Sequence, residues 1–301
     1  MSVRSTVMHR CGYIAIVGRP NVGKSTLLNR ILGQKISITS RKPQTTRHRV
    51  LGIKSTPSAQ AIYVDTPGLH RGVRHAINRV MNRAATAAIA DVDVVLFVTE
   101  CRKWQEEDDH VLNLLESVRV PVILVLNKID RLKDKEQLLP YIALMSEKRE
   151  FAAVVPVSAA HGTQTDVLEN EVCRLLPESP PLFPEEQVTD RSERFLAAEL
   201  VREKLTRLLG DELPYAATVE IEQFKEDGGL TSIGAVIWVE RDAQKAIVIG
   251  KQGHMLKQIG TQARVEMERL FGAKVYLQLW VKVKEKWSDD ERALRSLGYG
   301  D

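Results

Sequence analysis

Eight residues, Gly18-Arg19-Pro20-Asn21-Val22-Gly23-Lys24-Ser25, constrain this chain more than any other stretch. They follow an apolar run, 13–17, that reads as a buried strand, and they precede 26–32, where apolar residues recur at helical spacing. Strand, glycine-bounded loop and helix, in that order, is the context in which G-x-x-x-x-G-K-[ST] cradles phosphate. The glycines let backbone wrap an anion, and the N–H groups that open the helix point at it. Lys24 is expected to reach the β- and γ-phosphates of a nucleotide, and the Ser25 hydroxyl to hold the Mg²⁺ that bridges them. Thr26 completes the expected phosphate-binding run.

The next segments order themselves around that loop. The polar, basic stretch 40–49 lies where a nucleotide-sensing switch I belongs, with Gln44, Thr45, Thr46, Arg47 and His48 as its candidates. A threonine hydroxyl there completes the Mg²⁺ shell. Thr46 is preferred and Thr45 is the alternative, since spacing alone does not decide between them. A strand over 59–64 delivers Asp65-Thr66-Pro67-Gly68-Leu69. A carboxylate there can hold Mg²⁺ through water, and the Gly68 N–H can sense the γ-phosphate, which makes this the switch II candidate. The expected metal set is Ser25, Thr46 and Asp65.

Two more buried strands, 91–98 and 121–126, follow, and the second ends on Asn127-Lys128-Ile129-Asp130. This motif chooses the base. The Asp130 carboxylate can accept from guanine N1–H and the N2 amine together, whereas adenine would leave it unpaired. A site built on such hydrogen bonds rejects the analogue lacking them by roughly 10⁴-fold or more. Asn127 braces the loop, the Lys128 stem packs on the base, and the backbone N–H groups of Ser158 and Ala159, after a strand over 153–157, suit guanine O6. Strands alternating with helices in this way predict a doubly wound, mostly parallel sheet of the α/β class.

Leu69 stands where Ras-type enzymes carry the glutamine that orients the attacking water. Leucine can neither donate nor accept, so slow intrinsic hydrolysis is expected. Asn21 is a candidate ligand for a monovalent cation such as K⁺, which could supply charge there, and equally a loop-bracing residue.

A chain of 301 residues suggests two domains. The three cysteines, Cys11, Cys101 and Cys173, sit in no metal-like spacing and fit a reducing compartment. No apolar stretch approaches a membrane span, and the N-terminal region does not read as a signal peptide. Four prolines between 177 and 184 read as a semi-rigid linker. The expected boundaries are a nucleotide domain over 1–180, a linker over 181–190 and a second domain over 191–301.

The second half changes pattern. A helix over 195–208 is followed by alternating strands at 217–224 and 233–240, joined through Asp227-Gly228-Gly229. Then an apolar helix runs into Gly250-Lys251-Gln252-Gly253 and a further helix. G-x-x-G between two helices presses backbone against about four nucleotides of a single strand. From Glu185 onward the chain holds 18 Lys and Arg against 21 Asp and Glu, so positive charge here is local rather than general. It gathers at Lys245, Lys251, Lys257 and Arg264, and again at Lys282, Lys284 and Lys286 on the strand 277–284. Gly250, Lys251, Gln252, Gly253, Lys257, Lys282 and Lys284 are the RNA-contact candidates.

The motifs at 18–26, 38–49, 64–70, 127–130, 250–253 and 277–299 together resemble the Era family of bacterial GTPases, over essentially the whole chain. The resemblance implies a P-loop GTPase domain followed by an α+β type II KH domain. It implies GTP and GDP as ligands, Mg²⁺ as cofactor, and binding of the 16S rRNA 3′ end during assembly of the small (30S) ribosomal subunit and rRNA maturation. A cytoplasmic monomer with a peripheral fraction at the inner membrane is expected on the same ground. Competing classes fare worse. An RNA-binding protein with a vestigial nucleotide fold is opposed by intact Lys24, Ser25, Asp65 and Asp130. A tRNA-modifying GTPase would need a further domain, and an ATP-dependent kinase is disfavoured by residues 127–130.

Overall fold

The computed structural model describes residues 9–40, 42, 45–68, 76–134, 136–210, 213–297 and 299, so the expectations for Gln44 and Leu69 lie outside the described residues. The chain forms two compact units. One comprises Met1–Gly33, Arg49–Arg71 and Asn82–Asp190, and the other Gln34–His48, Gly72–Met81 and Arg191–Asp301.

The first unit is built on a six-stranded sheet in the order β2-β3-β1-β4-β5-β6. These strands are β1 (Arg10–Val17), β2 (Val50–Ser55), β3 (Ala59–Asp65), β4 (Val94–Glu100), β5 (Val122–Asn127) and β6 (Ala153–Pro156). All pairings are parallel except β2 on β3. Every residue of β3, β4 and β5 is buried, the signature of a parallel sheet covered on both faces. The helices are α1 (Lys24–Leu32), α2 (Ala76–Ala90), α3 (Glu106–Leu115), α4 (Leu138–Ser146) and α5 (Thr165–Leu175). Because β1 has β3 on one side and β4 on the other, the strand order reverses at its carboxyl end. Ligands of such sheets bind at that crevice, and residues 18–23 occupy it.

β2 is not among the expected strands. Gly52 interrupts its apolar residues, and it sits antiparallel at the edge, where the sequence pattern of a buried parallel strand is not required. The proline-rich segment also departs from expectation. It is fastened to this unit rather than spanning solvent: Leu182 and Phe183 N–H both donate to Gln60 Oε1, at 2.8 and 2.9 Å, and Gln60 Nε2 donates to Phe183 O at 2.8 Å. Ile53 N–H donates to Val188 O, and Leu51 N–H to Asp190 Oδ1. Gln60, fully buried, holds the segment by its amide, so the boundary falls at Asp190 and not at 180.

The second unit contains α6 (Glu193–Leu208), β7 (Ala217–Asp227), β8 (Leu230–Val239), α7 (Asp242–Ile249), α8 (His254–Phe271), β9 (Lys274–Val283) and α9 (Glu291–Ser296). Its sheet runs β7-β8-β9, with β7 antiparallel and β9 parallel to β8. Ser192 caps α6 by accepting from Phe195 N–H, which satisfies one of the helix's unpaired donors. Ile233, Ala235, Ile237 and Val239 on β8 point to one face, and Val248, Ile259, Ala263 and Met267 pack against it. Among the described residues no helix is long and apolar enough to cross a membrane.

Residues 34–48, which include the switch I candidates Thr45, Thr46, Arg47 and His48, belong to this second unit. Lys35 pairs with Glu203 at 2.5 Å and also with Glu266, while Thr39 N–H donates to Glu203 Oε1 at 3.0 Å. Arg202 reaches Thr45 O. Arg47, buried, donates to Ala217 O at 3.0 Å and to the Tyr299 hydroxyl at 3.3 Å. The His48 ring stacks on Tyr299 at 4.5 Å and meets the edge of Phe195 at 5.3 Å. Residues 76–81 do likewise: Ala76, Ile77 and Met81 share a cluster with Trp287, Leu294 and Tyr299.

Burial drives the His48 pKa down to about 4, with Arg202, Arg191 and Arg47 acting in the same sense and Glu199 against. The ring is therefore neutral when folded, while the unfolded chain binds a proton near pH 6.5. Stability contributed by this site is whole above pH 6.5 and falls as pH drops towards 4, by on the order of 3 kcal/mol. The hydrogen-exchange protection factors of residues 45–48, taken relative to the intrinsic rate at each pH, should therefore fall between pH 7 and pH 5, and His48→Phe, which keeps a ring on Tyr299, should flatten that dependence. Equal pH dependence in the two proteins would refute the assignment.

Candidate nucleotide site and RNA groove

In the first unit the phosphate loop is shaped by glycines that admit no substitute. Gly18 has φ +150°, and a Cβ there would lie 2.3 Å from Val98 O; Gly23 has φ +102°, and its Cβ would lie 2.4 Å from Asn127 Nδ2. The Gly68 backbone lies against Pro20, 3.0 Å from a Cβ position to the ring, which brings the turn after β3 onto the loop. Thr66 Oγ1 donates to Ile16 O at 2.9 Å and fixes that turn to β1.

Lys24, buried at the start of α1, donates to Gly18 O at 2.9 Å and Arg19 O at 3.0 Å. Burial pushes its pKa down to about 8, against the pull of Asp65 and Asp108. A lysine held this way is charged near neutrality yet poorly solvated, so an anion arriving in the loop relieves it. Ser25 Oγ donates to Asp65 Oδ2 at 2.8 Å. A hydroxyl and a carboxylate oxygen are hard donors of the kind Mg²⁺ takes, so this pair fits that ion.

The base-reading residues converge on Asn127. Its Nδ2 donates to Val22 O at 2.8 Å, and its Oδ1 accepts from Lys128 N–H at 2.8 Å and Ala159 N–H at 3.0 Å. Lys128, at φ +66°, donates through Nζ to Asn21 O at 2.6 Å and to Glu100 Oε2 at 2.7 Å. Ser158 Oγ donates to Asp130 Oδ1 at 2.5 Å, leaving the exposed carboxylate of Asp130 aimed by one fixed contact. The backbone N–H groups expected to face guanine O6 have partners in the loop. Ser158 N–H donates to Thr163 O and Ala159 N–H to Asn127, so both serve the loop itself.

Two residues outside the expected set, Glu100 and Asp108, complete the site. Glu100, at the end of β4, gathers Lys128, Lys103 and Arg131. Burial raises its carboxyl, but Lys128 and Lys103 outweigh that and hold it below the ordinary range. Asp108 in α3 binds Arg19 at 2.9 Å, so the Arg19 side chain belongs to the wall and only its backbone faces the loop. Burial pushes the Asp108 carboxyl up, and Arg19 opposes this. An acid ending an apolar strand was a readable sign for Glu100; nothing in the local pattern marked Asp108 among its acidic neighbours.

In the second unit, Gly250 (φ +71°), Gln252 (φ +52°) and Gly253 (φ +78°) carry the chain from α7 to α8 in left-handed backbone. A Cβ at Gly250 would lie 2.7 Å from Met255 Cβ, whereas Gly253 has open space above it. Beside this turn lies a groove of about 380 Å³, lined by Gly253, Leu256, Lys257, Gly260, Arg264 and Leu279 among others. Its floor is apolar and its cations sit on α8, as a single-stranded RNA groove requires. Gly260, where a Cβ would lie 3.3 Å from Leu279, and Arg264 were missed as groove residues. Lys282 and Lys284 do not join it. They stand on the opposite face of the sheet, with Lys282 bound to Glu222 at 2.8 Å and both ammonium groups over the Trp238 ring.

A family described as a 50S ribosome-binding GTPase matches residues 13–128, and the KH domain family matches 212–288. GTPase Era of Pseudomonas aeruginosa strain LESB58 is 61% identical over 292 residues, covering 97% of this chain and 96% of that protein. The chain belongs to the Era family of GTPases. GTPase Era of Stenotrophomonas maltophilia strain K279a is 59% identical over 291 residues, covering 97% and 98%. An Era crystallised with MgGDPNP and nucleotides 1506–1542 of 16S ribosomal RNA superposes with a TM-score of 0.94 at 41% identity, over 97% of this chain and 100% of that one. Aquifex aeolicus Era Y63A bound to GDP·AlF4⁻ gives 0.93 at 40%, with the same coverage. The Era family thus accounts for the P-loop GTPase fold and the KH domain together.

Gly23→Ala tests the coupling of phosphate loop to base loop. The methyl both forces a left-handed backbone and displaces Asn127. It should weaken GDP and GTP alike by at least about tenfold, read from fluorescent GDP titration, while leaving the melting of the second unit unchanged. Wild-type affinity in this variant would show that the Asn127 contacts do not shape the site.

Proposed function

We propose that this chain binds and hydrolyses GTP with Mg²⁺, and that nucleotide state sets its grip on the single-stranded 3′ end of 16S rRNA during assembly of the small ribosomal subunit. One observation carries the reading. A guanine-type nucleotide site and a GxxG groove stand intact in a chain alike, from end to end, to an Era captured with both ligands. The matching family's description names the 50S particle, but the RNA in that complex belongs to the small subunit.

Lys24 binds the β- and γ-phosphates while the backbone N–H groups of residues 21–25 cradle them. Ser25 and Asp65 are the residues that would hold Mg²⁺, which supplies charge neutralisation at the bridging phosphate oxygens. Asp130, aimed by Ser158, selects guanine, and Asn127 keeps the two loops in step. Thr45 Oγ1 closes its own turn, to Ser40 Oγ at 2.6 Å and Lys42 O at 2.7 Å, and Thr46 is the switch I ligand in this reading. A hundredfold change in RNA affinity needs only about 2.7 kcal/mol of coupling between nucleotide and RNA. The RNA of the relative spans nucleotides 1506–1542, whereas a GxxG groove clamps about four.

The test is binding of a labelled oligonucleotide from the 16S rRNA 3′ end, with a non-hydrolysable GTP analogue against GDP, in wild type and Gly253→Asp. Tighter binding with the analogue, lost in the variant, is expected; equal binding in both states would sink nucleotide control. Lys24→Ala should abolish GTP turnover, and persistence of turnover would reject the assigned site. Asn21, exposed at φ +64°, is proposed as a K⁺ ligand. Turnover should then be faster in KCl than in NaCl, and Asn21→Gly should remove the difference.

A further inference from the structure

The outer face of the second unit's sheet carries a feature that neither the nucleotide site nor the groove uses. Along β9, the residues at 275, 277, 279, 281 and 283 pack with the helices. The alternate residues face outward, and two of them are large aromatics: Tyr276 is 52% exposed and Trp280 44%. Burying even one such ring ordinarily stabilises a fold by a kcal/mol or more, so two left open on one strand call for an occupant.

Their setting identifies the occupant's chemistry. The Trp280 indole lies down on the sheet at Gly234, where a Cβ would come within 3.2 Å of Cζ3, so glycine gives the ring a flat seat. Gln278 Nε2 donates to the Tyr276 hydroxyl at 2.9 Å and steadies that ring. The strand carries Lys274, Lys282 and Lys284 and no acid between them. Across β8, two of the acids on β7 are engaged: Glu220 accepts from Trp238 Nε1 and Glu222 pairs with Lys282. Open aromatic faces flanked by cations on a sheet are the chemistry of single-stranded nucleic acid, where bases stack on rings and lysines follow the phosphates. An apolar protein partner would gain nothing from the lysines.

We propose that the outer face of β9, through Trp280 and Tyr276, is a second RNA-stacking surface that takes nucleotides beyond those held in the GxxG groove. The proposal rests on the RNA-binding reading above and deepens it.

Two labelled probes separate the readings with the full-length protein: a six-nucleotide oligomer from the 16S rRNA 3′ end, and the 1506–1542 segment. Trp280→Ala should weaken the long probe by about tenfold or more, the usual worth of a lost base stack, and leave the short probe unchanged. Trp280→Phe should restore most of that affinity and Trp280→Leu should not. Tyr276→Ala gives an independent reading should Trp280→Ala lower the melting temperature. Unchanged affinity for the long probe in both alanine variants, or equal rescue by leucine and phenylalanine, would overturn the proposal while leaving the groove reading in place. Failure of both probes to bind wild type would instead overturn the RNA-binding reading, and this proposal with it.

Discussion

The side chain of Asn127 is the point on which the nucleotide site depends. One carboxamide, 2% exposed, joins the phosphate loop at Val22, the base-reading loop at Lys128 and the loop after β6 at Ala159. These three segments come from far-apart stretches of chain. Buried amides of this kind are costly to leave half satisfied and rigid when complete. The nearness of Asn127 to Gly23 then explains why the loop's second glycine is obligatory even before any phosphate is considered. Base selection and phosphate binding are thereby mechanically one site, with Glu100 holding Lys128 from the other side.

How far this was legible in the sequence follows from which constraints are local. The phosphate loop, residues 65–68 and residues 127–130 were readable because a ligand's geometry imposes residue types at fixed spacing on a strand end. The order of elements around Gly250 and Gly253 was readable for the same reason, and the alternation along 277–284 gave β9. What escaped was what depends on distant partners. Asp108 earns its place only because Arg19 folds over it, and Gln60 only because residues 182 and 183 lie alongside. The proline-rich stretch was mistaken for a linker since proline forbids helix and central strand but says nothing about whether an edge will receive it. Lys282 and Lys284 form a cluster separate from the groove, and the period of two that identifies their strand sends them to its other face.

The packing of residues 34–48 in the second unit could not have been read from spacing either, because the partners are Glu199, Glu203, Arg202 and Tyr299, more than 150 positions away. Its chemistry is nonetheless informative. The segment is fastened by charge as well as by the burial of Ile36 and Ile38. Lys35, Glu203, Lys204 and Glu266 form one linked set, and Glu199 and Arg202 another, with Arg47 buried close by. Burial alone would raise both carboxyls; Arg202 brings Glu199 down, and Lys35 and Lys204 hold Glu203 at about 2.

Ion pairs taken out of water define geometry more strongly than they stabilise, since desolvation cancels much of the Coulomb gain. An apolar plug of the same size would grip harder, and its release would expose surface that water rejects. Released charges are instead resolvated, so the two arrangements of such a segment differ by less free energy than its many contacts suggest. On the proposed mechanism this is the property a switch needs: well ordered when docked, and movable by the few kcal/mol that a nucleotide's γ-phosphate can supply. The exceptions are the buried Ile36 and Ile38 and the stack of the neutral His48 imidazole on Tyr299, and it is there that the docked arrangement gains packing that charge alone does not provide.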